Sequence, residues 1–302
     1  MNRKINETFL EELKQSPLLD YVRKDHTLDL ELRGSCVMLY YRGGKILELS
    51  SKGEMKGLDP EYLTSKYKKY FEDVKNQPSL ENIEDYIPKA KHIIDFYVTI
   101  RRNHLWEKEI QQRVVMENNY SPNSSDTDFF IIDMEYQDSG KRFDIVALRW
   151  DSSPAARKLS KSYLPKITIF EVKQGCNSIN GDSGIYEHLK DFKEFVDAKN
   201  TAEDFKKDMI DVFNQKIRLG LMGKGKHTNK EIKKIDEDID FVLLLANYKP
   251  ASMQLRNALR DISVKNREIR PQFIVSNPMG YGLYAKNIFH AEAFPSPWKF
   301  HA

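Results

Sequence analysis

The sequence predicts an α/β chain: a mixed α+β sheet flanked by helices, preceded by a smaller α+β N-terminal region. Three observations predict it. Residues 89–247 read by periodicity as helix, strand, strand, strand, helix, an extra helix, strand. The first two of those strands flank a turn, Gln137-Asp138-Ser139-Gly140, and a helical crossover follows the third, which together indicate a mixed sheet. The last strand, Phe241 to Ala246, is a continuous apolar run of the kind buried on both faces.

The elements follow in order. Residues 5–14 carry Ile5, Phe9, Leu10 and Leu13 on one side of a short helix, with Pro17 soon after. Residues 27–49 have strand chemistry, and Gly43-Gly44 between two apolar runs signals a tight hairpin. A helical pattern covers 60–74. The polar stretch Lys75 to Leu80 holds Pro78 and places a soft boundary near residue 88, where Pro88 suits the first position of the next helix. The domains are thus expected as 1–88, of unassigned role, and 89–302.

A long helix is expected over 89–118, with Ile94, Val98, Leu105, Ile110 and Val114 on its apolar side. Strands follow at Phe129 to Tyr136, Arg142 to Trp150 and Lys166 to Lys173, the last two separated by a loop bearing Pro154 and Pro165. Ile185, Leu189, Phe192 and Val196 set a helix over 184–199, with Asp182 and Ser183 as N-cap candidates. Further helices are expected over 203–218 and 252–262, and a short strand from Gln272 to Val275.

Bulk composition narrows the function less than the pattern does. The 302 residues hold 48 basic and 45 acidic side chains, a net charge of +3, so a polyanionic partner would have to meet a local positive potential. Cys36 and Cys176 are the two cysteines, too few for a disulfide framework. The seven histidines are scattered without zinc-ligand spacing. No apolar run approaches the roughly 18 residues of a membrane span, so a cytoplasmic protein with no membrane partner is expected.

The chemistry concentrates in two strands. In Phe143-Asp144-Ile145-Val146 a carboxylate interrupts an apolar strand, and in Ile169-Phe170-Glu171-Val172-Lys173 two charges close one. Side chains alternate along a strand, so Glu171 and Lys173 point to the same face. Buried charges cost several kcal/mol each unless paired or bound to metal. Phosphodiester hydrolysis explains such a group. A hard cation such as Mg²⁺ takes oxygen ligands, which Asp144, Glu171 and the carbonyl of Val172 supply. Lys173 then holds the attacking water or the phosphate oxygens.

An Asp followed on the next strand by Glu-x-Lys resembles the PD-(D/E)XK nuclease superfamily, whose restriction-endonuclease-like core is helix, three strands, helix, strand. The resemblance covers about 105–247. It implies a metal-dependent nuclease acting on nucleic acid, with DNA preferred, using Mg²⁺ or Mn²⁺; a homodimer would suit cutting of both strands. The family's carboxylates fall on Asp144 and Glu171 and its lysine on Lys173. Phe143 replaces the proline of the family motif, and the gap between the two carboxylates is long. A further acid on the first helix is a family feature; Glu107 is favoured over Glu109. Gln174 and His188 are weaker candidates, with Tyr186 and Lys190 on the same helix as His188. The rival reading is an inactive member acting as a binding module.

Gly220 to His227 nearly spells a phosphate-binding loop, but His227 stands where Ser or Thr is needed and the loop follows a helix. Lys224, Lys226 and His227, with Arg256, Arg260, Lys265, Arg267 and Arg270, offer contacts to a phosphate backbone; a solvated surface is an equal reading.

Overall fold

In a computed structural model of the chain, the residues described are 2–63, 78–100, 106–138, 140–158, 163–174, 184–222, 230–247, 253, 255, 257, 258, 272–276 and 280–290. Among the described residues the chain is mixed α/β with two sheets, one antiparallel of four strands and one mixed of six. It divides into two compact units. One holds Met1–Pro122 with Asp208–Ile232, the other Asn123–Lys207 with Lys233–Ala302.

In the first unit, α1 (Glu7–Lys14) opens on Asn6, whose side chain accepts the Phe9 N–H, and it buries Phe9, Leu10 and Leu13. Pro17 does more than follow that helix. It opens a second, α2 (Pro17–Lys24), capped by Ser16. A proline is pre-set for this first helical position, and burial of Leu18, Leu19 and Val22 holds the turn in place.

Strands β1 (Leu28–Leu32), β2 (Cys36–Tyr41), β3 (Gly44–Ser50) and β4 (Met55–Lys56) form the antiparallel sheet in that order. The hairpin between β2 and β3 turns on Arg42-Gly43, not on Gly43-Gly44. Both turn residues have positive φ, 50° and 78°, the signature of a type I′ turn. A Cβ on Gly43 would lie 2.6 Å from the Lys108 carbonyl carbon. Gly43→Ala is therefore expected to cost about 2 kcal/mol or more, from the left-handed backbone and the contact together, measurable by urea unfolding.

Helix α3 (Ile83–Ile100) contains Pro88 instead of starting at it. Burial of Ile83, Tyr86, Ile87 and Ala90 outweighs the one backbone hydrogen bond that the proline removes. Tyr86 fixes the helix to the sheet: its hydroxyl accepts the Leu58 N–H at 2.8 Å and donates to the Ile46 carbonyl at 3.1 Å. Burial pushes this phenol up to about 12, against the pull of the Leu58 N–H. A raised folded-state pKa stabilises fully below the ordinary value of 10.0, and that contribution is lost as pH climbs through it towards about 12. Tyr86→Phe is expected to flatten the alkaline loss of stability. It should also cost about 1–3 kcal/mol near neutrality by stranding two backbone groups, read from denaturation at several pH values.

The expected single helix over 89–118 corresponds to α3 and α4 (Trp106–Val115), followed by a π-helical turn, Met116–Tyr120. Residues 101–105 lie outside the described set. So does most of the helix expected over 60–74, where Pro60–Tyr62 is a short 3-10 turn.

In the second unit the sheet order is β10-β9-β8-β7-β6-β5. Its strands are β5 (Phe129–Asp138), β6 (Lys141–Arg149), β7 (Lys166–Gln174), β8 (Ile239–Ala246), β9 (Gln272–Ser276) and β10 (Phe289–His290). Strands β5, β6 and β7 run antiparallel, and β8 and β9 add on parallel to β7. The loop between β6 and β7 contains a one-turn helix, α5 (Pro154–Arg157), against which Trp150 is buried by donating to the Ala156 carbonyl at 2.7 Å.

The crossover from β7 to β8 carries α6 (Ile185–Asp197) and α7 (Lys199–Arg218), and α7 begins four residues earlier than its expected start at 203. Gly184 is the N-cap of α6; the expected caps Asp182 and Ser183 lie outside the described residues. Phe192 stacks on Phe241 of β8 at 4.8 Å, and Phe195 meets Phe143 of β6 at 5.0 Å and Phe205 of α7 at 5.1 Å. These rings seat α6 on the sheet. Of residues 252–262, positions 253, 255, 257 and 258 are helical and the rest lie outside the described set. No helix among the described residues is long and apolar enough to cross a membrane.

Candidate functional site

The site forms where two strands part. The ladder between β6 and β7 runs from Arg149↔Lys166 to Ile145↔Phe170 and ends there. Beyond it, β7 continues on β8 through Glu171↔Leu243 and Lys173↔Leu245, and β6 continues on β5 through Phe143↔Tyr136. Asp144 is the first residue past the end of the shared ladder. Its Oδ2 accepts the backbone N–H of Val172 at 2.8 Å, standing in for the carbonyl that a continuing strand would have offered. A carboxylate thus closes the gap that the diverging strands open.

Glu171 and Lys173 lie on one side of β7, as the strand period requires, and they touch. Lys173 Nζ donates to Glu171 Oε1 at 2.8 Å. His188, from the first turn of α6, brings Nε2 to 3.0 Å from the same oxygen. Asp144 is 4% exposed and Glu171 and Lys173 are each 3% exposed, so this is a buried, charged site within an apolar sheet. Lys141, at the start of β6, grips α6 through Asp191 at 2.5 Å and Glu194 at 2.6 Å, and those bonds, Asp191 first, raise the pKa of its ammonium.

No family model, curated protein or solved structure matches this chain.

The structure thus gathers Glu171, Lys173 and His188, with Asp144 joined to them through the Val172 backbone. Val172 itself is buried and Gln174, the last residue of β7, is half-buried. Tyr186 and Lys190 are exposed, so of the three residues considered on α6 only His188 meets Glu171. Glu107 and Glu109 lie on α4 in the other unit. Glu107 is half-buried there. Glu109 is buried and engaged, accepting from Arg42 at 3.1 Å and Arg113 at 2.8 Å, which gives it a structural task. The basic residues Lys224, Lys226, His227, Arg256, Arg260, Lys265, Arg267 and Arg270 lie outside the described residues.

Sequence pattern gave little weight to His188, although it stands three residues after Ile185 and four before Phe192, on the side of α6 that those residues turn inward. The Lys141 clamp had no local signal at all, since its acids arrive 50 and 53 residues later.

The donor set can be compared with what a divalent cation needs. Among the described residues no three or more His, Cys, Asp or Glu side chains gather to hold a metal ion. Magnesium does not require such a cage: it keeps several waters and takes one or two carboxylates together with substrate phosphates. Two buried carboxylates beside the end of a ladder are donors of that kind.

Proposed function

We propose that this chain is a metal-dependent nuclease of the PD-(D/E)XK type that hydrolyses phosphodiester bonds in nucleic acid, with DNA the preferred substrate. The observation that carries the reading is the meeting of buried Glu171 and Lys173 beside Asp144, where β6 and β7 part. Isolated buried charges are costly, and an acid, an acid and an ammonium are the groups that this reaction uses. The element order supports it: a helix, three antiparallel strands, helices, and a strand parallel to the third.

Asp144, Glu171 and the Val172 carbonyl are the groups that would hold Mg²⁺ or Mn²⁺. The cation, when bound, would supply Lewis-acid stabilisation of charge on the scissile phosphate. Lys173 carries an ammonium two residues from the metal-binding acid. Released from Glu171, it would hold the attacking water or a phosphate oxygen and offset the charge that builds there. The apolar sheet around the site lowers the local dielectric, which strengthens each of these interactions.

The test is a cleavage panel of supercoiled plasmid, linear duplex, single-stranded DNA and RNA, each with Mg²⁺ or Mn²⁺. Metal-dependent cleavage of at least one substrate is expected, lost in Asp144→Ala. Intact substrates throughout, with labelled DNA still shifted at low salt, would favour the inactive binding module instead.

A further inference from the structure

Glu171 Oε1 lies against two nitrogen groups of different kinds. Lys173 reaches it from β7 on a flexible stem, at 2.8 Å, and His188 reaches it from α6 at 3.0 Å. The two partners differ in how firmly they are mounted. His188 rides on a helix whose neighbouring Ile185 and Leu189 are buried, whose Phe192 stacks on Phe241, and whose Asp191 and Glu194 are tied to Lys141. Its ring has two torsions to lock, whereas the lysine stem has four. In the reaction proposed above, Lys173 must leave Glu171 to meet substrate, while Glu171 must stay in place.

We propose that His188 is the positioning residue for Glu171: its Nε2–H pins Oε1 and so aims the carboxylate at a divalent cation whichever way Lys173 turns. A neutral imidazole with its proton on Nε2 can donate such a bond, so no change of protonation is needed. Carboxylates that ligate metals are themselves oriented by such hydrogen bonds, and removing the orienting partner typically weakens metal affinity by about 10–100-fold. The inference rests on the nuclease reading, and its test separates the two.

Mn²⁺ affinity of the full chain, measured by the electron paramagnetic resonance of the free ion, reads it without any cleavage. His188→Ala is expected to weaken Mn²⁺ binding by about tenfold or more. His188→Gln places an amide Nε2 at the same reach and is expected to restore wild-type affinity. His188→Asn is polar but too short to bring its donor to Oε1, and it should bind as weakly as the alanine variant, including where alanine itself lowers the melting temperature. Wild-type affinity in His188→Asn, or a glutamine variant as weak as asparagine, would overturn the positioning role while wild type and Asp144→Ala still differ. Equal Mn²⁺ binding by wild type and Asp144→Ala would overturn the nuclease reading, and the role of His188 with it.

Discussion

Lys173→Ala is expected to lower metal-dependent cleavage by about 10²–10³-fold, the usual effect of removing one preorganised donor aimed at developing charge. The loss should fall on kcat with KM nearly unchanged, because the ammonium acts on charge that appears only as the bond breaks. Asp144→Ala should differ in kind, losing activity because it loses a metal donor. The contact between Lys173 and Glu171 at 2.8 Å makes a second effect separable. Truncating the lysine leaves Glu171 buried with its His188 neighbour, so a part of the site's electrostatic compensation survives. Kinetics on a substrate that wild type cleaves, with unfolding measured alongside, distinguishes the two effects. A Lys173→Ala variant that is destabilised yet cleaves at the wild-type rate would make the pair a structural contact within β7 and nothing more.

The pattern of apolar residues carried the second sheet well. The apolar content of Phe129 to Tyr136 and Ile167 to Phe170, and the unbroken run Phe241 to Ala246, follow from strand geometry and from burial on both faces, so these three strands appear within a few residues of their expected spans, whereas β10 was not expected. The same-face placement of Glu171 and Lys173 is likewise a local consequence of the period of two. What local pattern could not carry is the end of the β6–β7 ladder, because strand divergence depends on how β5 and β8 draw their partners apart. Nor could it carry the Arg42-Gly43 turn. Gly43-Gly44 is chemically the better turn pair, but the pairing of Tyr41 with Gly44 fixes the loop one residue earlier. The two compact units were hidden for a related reason: residues 208–232 join the N-terminal unit across the whole intervening stretch 123–207, which no sequence window spans.

Replacing Lys216 with methionine is expected to cost about 3–5 kcal/mol, the range for breaking a fully buried ion pair from one side. Strand β1 reads Leu-Asp-Leu-Glu-Leu, an alternation that by itself suits a strand with its acids in water. Both acids are instead buried: Asp29 and Glu31 have 0% exposure. Lys216, near the C-terminal end of α7, explains Glu31 by placing Nζ 2.9 Å from its Oε2, with Arg33 at 3.5 Å from the same oxygen. Asp29 meets Tyr120, whose hydroxyl donates to Oδ1 at 3.4 Å. Burial first, then these two acids, raises the Tyr120 phenol well above its ordinary value. Lys216→Met would leave Glu31 charged in an apolar interior without the nearer of these two cations. Glu31→Leu together with Lys216→Met removes both charges, and most of the stability should return, since a buried pair gains little net energy over apolar side chains of like volume. Hydrogen exchange of the β1 and β2 amides reads the effect within this unit alone. A single variant that costs under about 1 kcal/mol would mean that Glu31 reaches water when its partner is removed, and the double variant would then show no recovery.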